Sequence, residues 1–283
     1  MPIERKLSEM YILLLKQIVQ LLNKTVHFFD TQSIRIGYWK IRAYIIKMIK
    51  YIDKIILKIN LTNFYINIIK SNYKCFDVGA NIGTYSEVFL KLCKICIAIE
   101  PNKELINIIK KNNNKLIKRG KLQLIQAGLG SVCGEKDFFI SSSHTISSFS
   151  KEWVEAIRPK MFSHTKIVKT EKVQMLTLDY IIENNFMPNY IKMDIEGYEL
   201  EAIKGLSQYI DIISFEYTLP HLKQDFNDII LKIDSLGCYS FKVLVIGEYA
   251  FKYTFETKDE LLEKVNLNKI TGVGDLFCFK SSI

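Results

Sequence analysis

Ile191-Lys192-Met193-Asp194-Ile195-Glu196-Gly197-Tyr198-Glu199-Leu200-Glu201-Ala202-Ile203-Lys204-Gly205 is the stretch that decides the fold. A short apolar run stops at two carboxylates and a glycine, after which helical spacing takes over, so the segment reads as a strand, a polar lip and a helix start. In an open α/β sheet ligands sit at the carboxyl ends of the strands, which puts Asp194 and Glu196 where chemistry is done. The same two carboxylates also suit a helix cap, accepting hydrogen bonds from the free N–H groups of the following helix.

A second element upstream has the same form. Cys75-Phe76-Asp77-Val78-Gly79-Ala80-Asn81-Ile82-Gly83-Thr84-Tyr85-Ser86 reads as a strand, a glycine turn and an amphipathic helix with Tyr85, Val88, Phe89 and Leu92 on one face. Gly79 and Gly83 let the backbone approach a ligand closely. The next strand, Ile95 to Ile99, ends in Glu100, 23 residues after Asp77, where a carboxylate can accept both hydrogen bonds of a ribose diol. Together these elements predict a nucleoside-binding crevice. A dinucleotide fingerprint needs a middle glycine so that backbone can press against pyrophosphate, but Asn81 stands in the Gly79-x-Asn81-x-Gly83 loop. S-adenosyl-L-methionine has ribose and adenine but no phosphate, and tolerates an acidic group near its ammonium, which Asp77 supplies. The pattern therefore favours adenosylmethionine over a dinucleotide.

With Phe76 to Gly83, Ile99-Glu100-Pro101-Asn102, Thr177-Leu178-Asp179 and Ile191 to Gly205 in this order and spacing, the chain resembles the FkbM family of class I methyltransferases. The motifs cover about residues 71–220, and Gly274-Asp275-Leu276-Phe277-Cys278 fits the last strand of such domains. The Lys-x-Asp-x-Glu-Gly-x-Glu form of Lys192 to Glu199 is far more specific than the glycine loop. The resemblance implies a mostly parallel, seven-stranded, Rossmann-like α/β sheet with helices on both faces and an antiparallel C-terminal edge hairpin. It also implies adenosylmethionine-dependent methyl transfer to a hydroxyl of a glycan, sugar or secondary metabolite. Asp77, Gly79, Asn81, Gly83, Thr84, Glu100, Pro101 and Asn102 are the cofactor-binding positions it marks. The acceptor is not carried by these motifs, because acceptor pockets come from loops that vary freely.

Composition narrows the partners. The 283-residue chain is long enough for one sizeable α/β domain plus an extension, and its 48% hydrophobic content supports a core. Net charge is +9, but residues 1–70 hold 12 Lys and Arg against 4 Asp and Glu, which leaves residues 71–283 nearly neutral. A nucleic-acid groove would place basic charge around the cleft too, so nucleic acid is not expected as a partner. The six cysteines show no secreted framework; Cys93 and Cys96 join a helix end to a strand start, the reverse of a redox motif, and no second pair completes a zinc site. Tyr11 to Leu22 is too short and polar for a secretory signal, and no run of about 20 apolar residues occurs, so a cytoplasmic protein is expected.

Residues 1–70 are expected to be a basic amphipathic helical extension and residues 71–283 the methyltransferase domain. Ile41, Tyr44, Ile45, Met48, Ile49, Ile52, Ile55, Ile56 and Ile59 recur at helical steps, with lysines largely off that stripe. Packing on the domain or over its cleft is the favoured reading, with peripheral contact of residues 40–59 with an anionic membrane, or dimerisation, as the alternatives. From Tyr73 strands and helices alternate until residues 128–175, where Asp137 to Ile140 and Lys166 to Met175 read as strands around a polar Ser141 to Ser148 loop. So long an insertion is a candidate lid or acceptor loop.

Methyl transfer to oxygen needs alignment of the acceptor and a base within reach of its proton. Asp194 is the first choice for that base. Glu196 either binds a sugar diol or caps the helix, Glu216 is the other cleft carboxylate, and the loop histidines His144 and His221 are further candidates. Two carboxylates near one site would suit Mg²⁺ or Ca²⁺ only with a third oxygen ligand, which the sequence does not show, so no metal is assigned.

Overall fold

The computed structural model describes residues 32–143, 146–151, 153–157, 165–245 and 247–281, with Gln17 and Gln20; His144 and most of the Tyr11 to Leu22 segment lie outside them. In chain order the elements are α1 (Gln32–Tyr65), β1 (Lys74–Val78), α2 (Thr84–Leu92), β2 (Ile95–Ile99), α3 (Lys103–Lys118), β3 (Leu122–Ile125), β4 (Gly128–Leu129) and β5 (Gly134–Ser141). There follow a π-helical turn (Trp153–Ile157), β6 (Ile167–Leu176), α4 (Leu178–Asn184), β7 (Tyr190–Met193), α5 (Glu199–Lys204) and β8 (Ile212–Leu219). The chain ends with α6 (Lys223–Leu236), β9 (Tyr239–Val245), β10 (Tyr253–Phe255), α7 (Lys258–Asn266) and β11 (Gly272–Lys280).

The main sheet runs β10-β9-β11-β8-β7-β1-β2-β3. Strands β3, β2, β1, β7 and β8 are parallel neighbours, and β11 runs antiparallel between β8 and β9. The sheet is thus the expected mostly parallel α/β form. It has eight strands rather than seven, because the short β10 pairs with the outer edge of β9 and occupies backbone groups that would otherwise stand open. The hairpin at the edge is therefore β9–β10, while β11 is interior. Ile is the commonest residue of the parallel strands, and their interior positions are buried, as Ile97, Ile99, Ile191 and Ile213 are.

The chain divides into two compact units, Met1–Asn63 and Phe64–Ile283. In the first, the apolar stripe predicted from Ile41 to Ile59 lies along one continuous helix, α1. No helix among the described residues is long and apolar enough to cross a membrane. The second unit begins upstream of the expected boundary at residue 71, and the reason is aromatic packing. Tyr65, 1% exposed, meets Phe89, Tyr190 and Phe277 at ring-centroid distances of 5.0, 6.0 and 6.3 Å. Phe64 joins the same cluster through Phe277 and Phe251.

The insertion forms its own three-stranded sheet, β4-β6-β5, in which β5 and β6 make an antiparallel hairpin. Phe138, Phe149, Val173 and Met175 fill its small core.

A chain starting at Phe64 and one starting at Ser71 differ only in the segment that carries Phe64 and Tyr65. The shorter is expected to melt at least about 5 °C lower, since loss of a buried aromatic costs about 3 kcal/mol or more. Equal melting temperatures in scanning calorimetry would show that Tyr65 is dispensable.

Candidate active site

Strands β1, β2, β7 and β8 end on one edge of the sheet, and each delivers acidic groups there. At the end of β1 the chain turns through Gly79, Asn81 and Gly83, all with left-handed backbone (φ +76°, +53° and +84°). Gly79 is required by contact as well as by φ: a Cβ there would lie 1.9 Å from the carbonyl oxygen of Asp194. The loop is thus pressed directly against the start of the β7 lip. Thr84 begins α2 behind it, and Gly79 N–H donates to the Ile99 carbonyl at 2.9 Å, tying the loop to β2.

Glu100 follows β2. The backbone N–H groups of Asn81 and Asn102 donate to its two carboxyl oxygens at 2.8 and 2.9 Å, so one side chain joins the glycine loop to the turn that starts α3. The buried Pro101 fills that turn, and the Asn102 side chain caps α3 by accepting from Glu104 N–H at 2.9 Å. Burial pushes the Glu100 carboxyl up to about 7 despite these two bonds. Its oxygens retain acceptor capacity, and its place after the second parallel strand suits a ribose diol. The residues present therefore fit a nucleoside cofactor without phosphate.

Asp77 lies deeper, with only 1% exposed, and accepts from the Ser86 hydroxyl at 2.5 Å. Burial raises its pKa, while Lys192 opposes the rise. It faces α2 and the adjacent strand β7 rather than the crevice surface.

After β7, Asp194 is partly open, with 31% of its side chain exposed. Lys192 Nζ donates to its Oδ2 at 3.0 Å. Carboxyl oxygens of Asp194, Glu196 and Glu216 all lie within 4.8 Å of one another. Burial first, then repulsion from Asp194, drives both Glu196 and Glu216 well above the usual carboxylate range. Glu216 supplies the third oxygen that the sequence did not show. Carboxylates alone specify no metal, because groups at this spacing equally serve the vicinal hydroxyls of a polyol.

Glu196 has left-handed backbone (φ +56°), and the insertion holds it there. Ser148 Oγ donates to the Glu196 carbonyl at 2.7 Å, and Phe149 packs against Tyr198. Trp153, 2% exposed, covers Gly197, where a Cβ would stand 3.3 Å from the indole. The helix that follows is braced by Glu199 instead, whose carboxylate accepts from Ile195 N–H at 3.0 Å. The structure thus brings Asp194, Glu196 and Glu216 together and places His221 on an exposed turn; His144 falls outside the described residues.

Three polar groups at the site lie within motifs of the sequence but carry no role there: Lys192, Glu199 and Asp275. Lys192 and Asp194 lie two apart in an extended segment, hence on one face, which is a signal the sequence does contain. Asp275 stands opposite Glu216 only through the β11–β8 register, which no local pattern reveals.

Residues 77–239 match the family profile described as "Methyltransferase FkbM domain". The chain belongs to the FkbM methyltransferase family. Its sheet is the class I methyltransferase sheet expected from that membership. Among curated proteins it is 26% identical over 159 residues to hexuronic acid methyltransferase AglP of Haloferax volcanii, a match covering 54% of this chain and 58% of that one. Among solved structures it resembles methyltransferase FkbM from Methylobacillus flagellatus KT (17% identity, TM-score 0.45, 75% of this chain and 44% of that one). It also resembles M. capricolum TrmK in complex with S-adenosyl-homocysteine (11% identity, TM-score 0.44, 78% and 68%).

The buried carboxyls fix a pH dependence. Glu100 and Glu199 both sit at about 7 in the fold, against about 4.3 unfolded. Their contribution to stability is fully present below the unfolded value and is lost as pH rises through 7. The ligand-free protein is expected to melt lower at about pH 8 than at about pH 5.5, with Glu100→Gln flattening the slope. A melting temperature that climbs across this window would contradict the assignment.

Proposed function

We propose that this FkbM family member transfers a methyl group from adenosylmethionine to a hydroxyl of a sugar or glycan, through the domain predicted at residues 71–283. The observation that carries this reading is the meeting of two acidic groupings at one sheet edge: Glu100 with the glycine loop, and Asp194 with Glu196 and Glu216. The likeness to AglP, a hexuronic acid methyltransferase, supports a sugar acceptor.

When bound, adenosylmethionine supplies a methyl group on a positively charged sulfur. Glu100 engages the ribose hydroxyls, and the Gly79 to Gly83 loop, with Thr84, Pro101 and Asn102 flanking it, shapes the cofactor wall. Asp194 accepts the proton of the attacking hydroxyl, and its Oδ1 has no protein hydrogen bond among the described residues. Glu196 and Glu216, driven toward their acid forms, hydrogen-bond neighbouring hydroxyls and orient the ring. The insertion, docked on the Glu196 to Tyr198 lip, forms the acceptor side of the cleft.

At about pH 8, where Glu100 is ionised, Glu100→Ala is expected to weaken adenosylmethionine binding by at least about 1.5 kcal/mol, the scale of two lost bonds to a charged group. Isothermal calorimetry on the folded variant checks this, and unchanged affinity would remove Glu100 from the site.

Incubation with methyl-labelled cofactor and a panel of neutral and acidic saccharides tests the transfer itself. Asp194→Asn should keep the cofactor yet lose turnover by about a hundredfold or more. Wild-type rates in that variant would mean that Asp194 is not the base.

A further inference from the structure

The acidic edge carries one fully enclosed cation that the proposed chemistry does not use. Lys192 sits in the middle of β7 and is 1% exposed, although a lysine is among the residues least often buried without a partner. Its Nζ lies 3.0 Å from Asp194 Oδ2 and 4.2 Å from the centroid of the Tyr85 ring, which covers it from α2. Asp77 stands opposite it on β1 and Ser214 opposite it on β8. The titratable groups facing the ammonium are Asp77 of β1, Tyr85 of α2, Tyr190 of β7, Asp194 and Glu196 of the lip, and Asp275 of β11.

We propose that Lys192 is the positioning residue of this site: its ammonium pins Oδ2 of Asp194, aims Oδ1 outward, and acts on methyl transfer through that carboxylate. The catalytic half of this statement rests on Asp194 being the base, whereas the coupling between the two side chains does not. Burial by itself drives the ammonium down, but Asp194, backed by Asp275 and Asp77 and by the Tyr85 ring face over it, more than reverses that, so Lys192 stays charged. Removing the ammonium leaves the buried Asp77 and the partly open Asp194 without their cation, which is more disruptive than losing the packing of an alkyl chain. Lys192 also opposes the burial-driven rise of Asp77 and Asp275, so its removal leaves those carboxyls still harder to ionise. An arginine keeps the charge, and a methionine keeps only the shape.

The test is a double-mutant cycle read by thermal melting at about pH 5.5 and about pH 8, on the full chain without ligand. K192M should lose more melting temperature at the higher pH, where the carboxylates it abandons would be ionised, and K192R should restore part of it. In a D194N background the loss should shrink. An equal loss at both pH values, unaffected by D194N, would make Lys192 a packing residue and overturn the proposal. Should K192M fail to fold at either pH, the K192M/D194N double variant decides: a folded double variant upholds the coupling and an unfolded one refutes it. With an acceptor from the saccharide panel, K192M should lower kcat about as far as D194N, with no further drop in the double variant. Losses that multiply would refute action through Asp194. Full turnover in D194N would overturn the catalytic half alone, since the melting cycle needs no acceptor.

Discussion

The ion pair between Lys192 and Asp194 is the constraint on which the site depends. A parallel strand buried on both faces is ordinarily apolar throughout, yet β7 carries an ammonium at its centre and a carboxylate just past its end. The ammonium makes tolerable a concentration of acidic groups that would otherwise repel one another: Asp77 on the neighbouring β1, Asp275 on β11 one strand further across the sheet, and Asp194, Glu196 and Glu216 at the lip. One buried cation set among so many acidic groups leaves the cleft with an excess of acid. That excess suits an acceptor rich in hydroxyls.

Backbone contacts translate this electrostatic centre into a shaped site. The glycine loop can reach Asp194 only because Gly79 has no side chain, and Glu100 then fastens the loop to the neighbouring turn through two backbone amides. On the other side, the Glu196 to Tyr198 lip is held by Ser148, Phe149 and Trp153, all from the segment that interrupts the strand-helix alternation. The insertion, whose sequence reads as two strands around a polar loop, is thus a small packed sheet docked on the most specific motif of the chain.

What the sequence made legible is local. The Cys75 to Ser86 and Ile191 to Gly205 segments each encode a strand, a turn and a helix within one stretch, so their form and their carboxylates could be read directly. Glu216 followed because it lies in the next buried strand, one residue past the point where β7 stops pairing with it. Elements whose signals are short or polar were missed: β10 has only three residues, and α7 is too polar for a clear stripe, although Thr257 and Glu260 form a capping box that marks its start. Contacts between distant segments were not legible at all. Neither the Asp275–Glu216 register nor the seat of Trp153 over Gly197 follows from any periodicity, and the aromatic cluster that draws Tyr65 into the second unit depends on four separate segments.

The central claim is that the acidic sheet edge is an adenosylmethionine site. The most direct measurement is mass spectrometry of the small molecules released when the purified protein is denatured, paired with calorimetry of added adenosylhomocysteine. The account predicts co-purified adenosylmethionine or adenosylhomocysteine, or saturable one-to-one binding of the added compound. Release of a nicotinamide dinucleotide, or no binding of adenosylhomocysteine to folded protein, would contradict it.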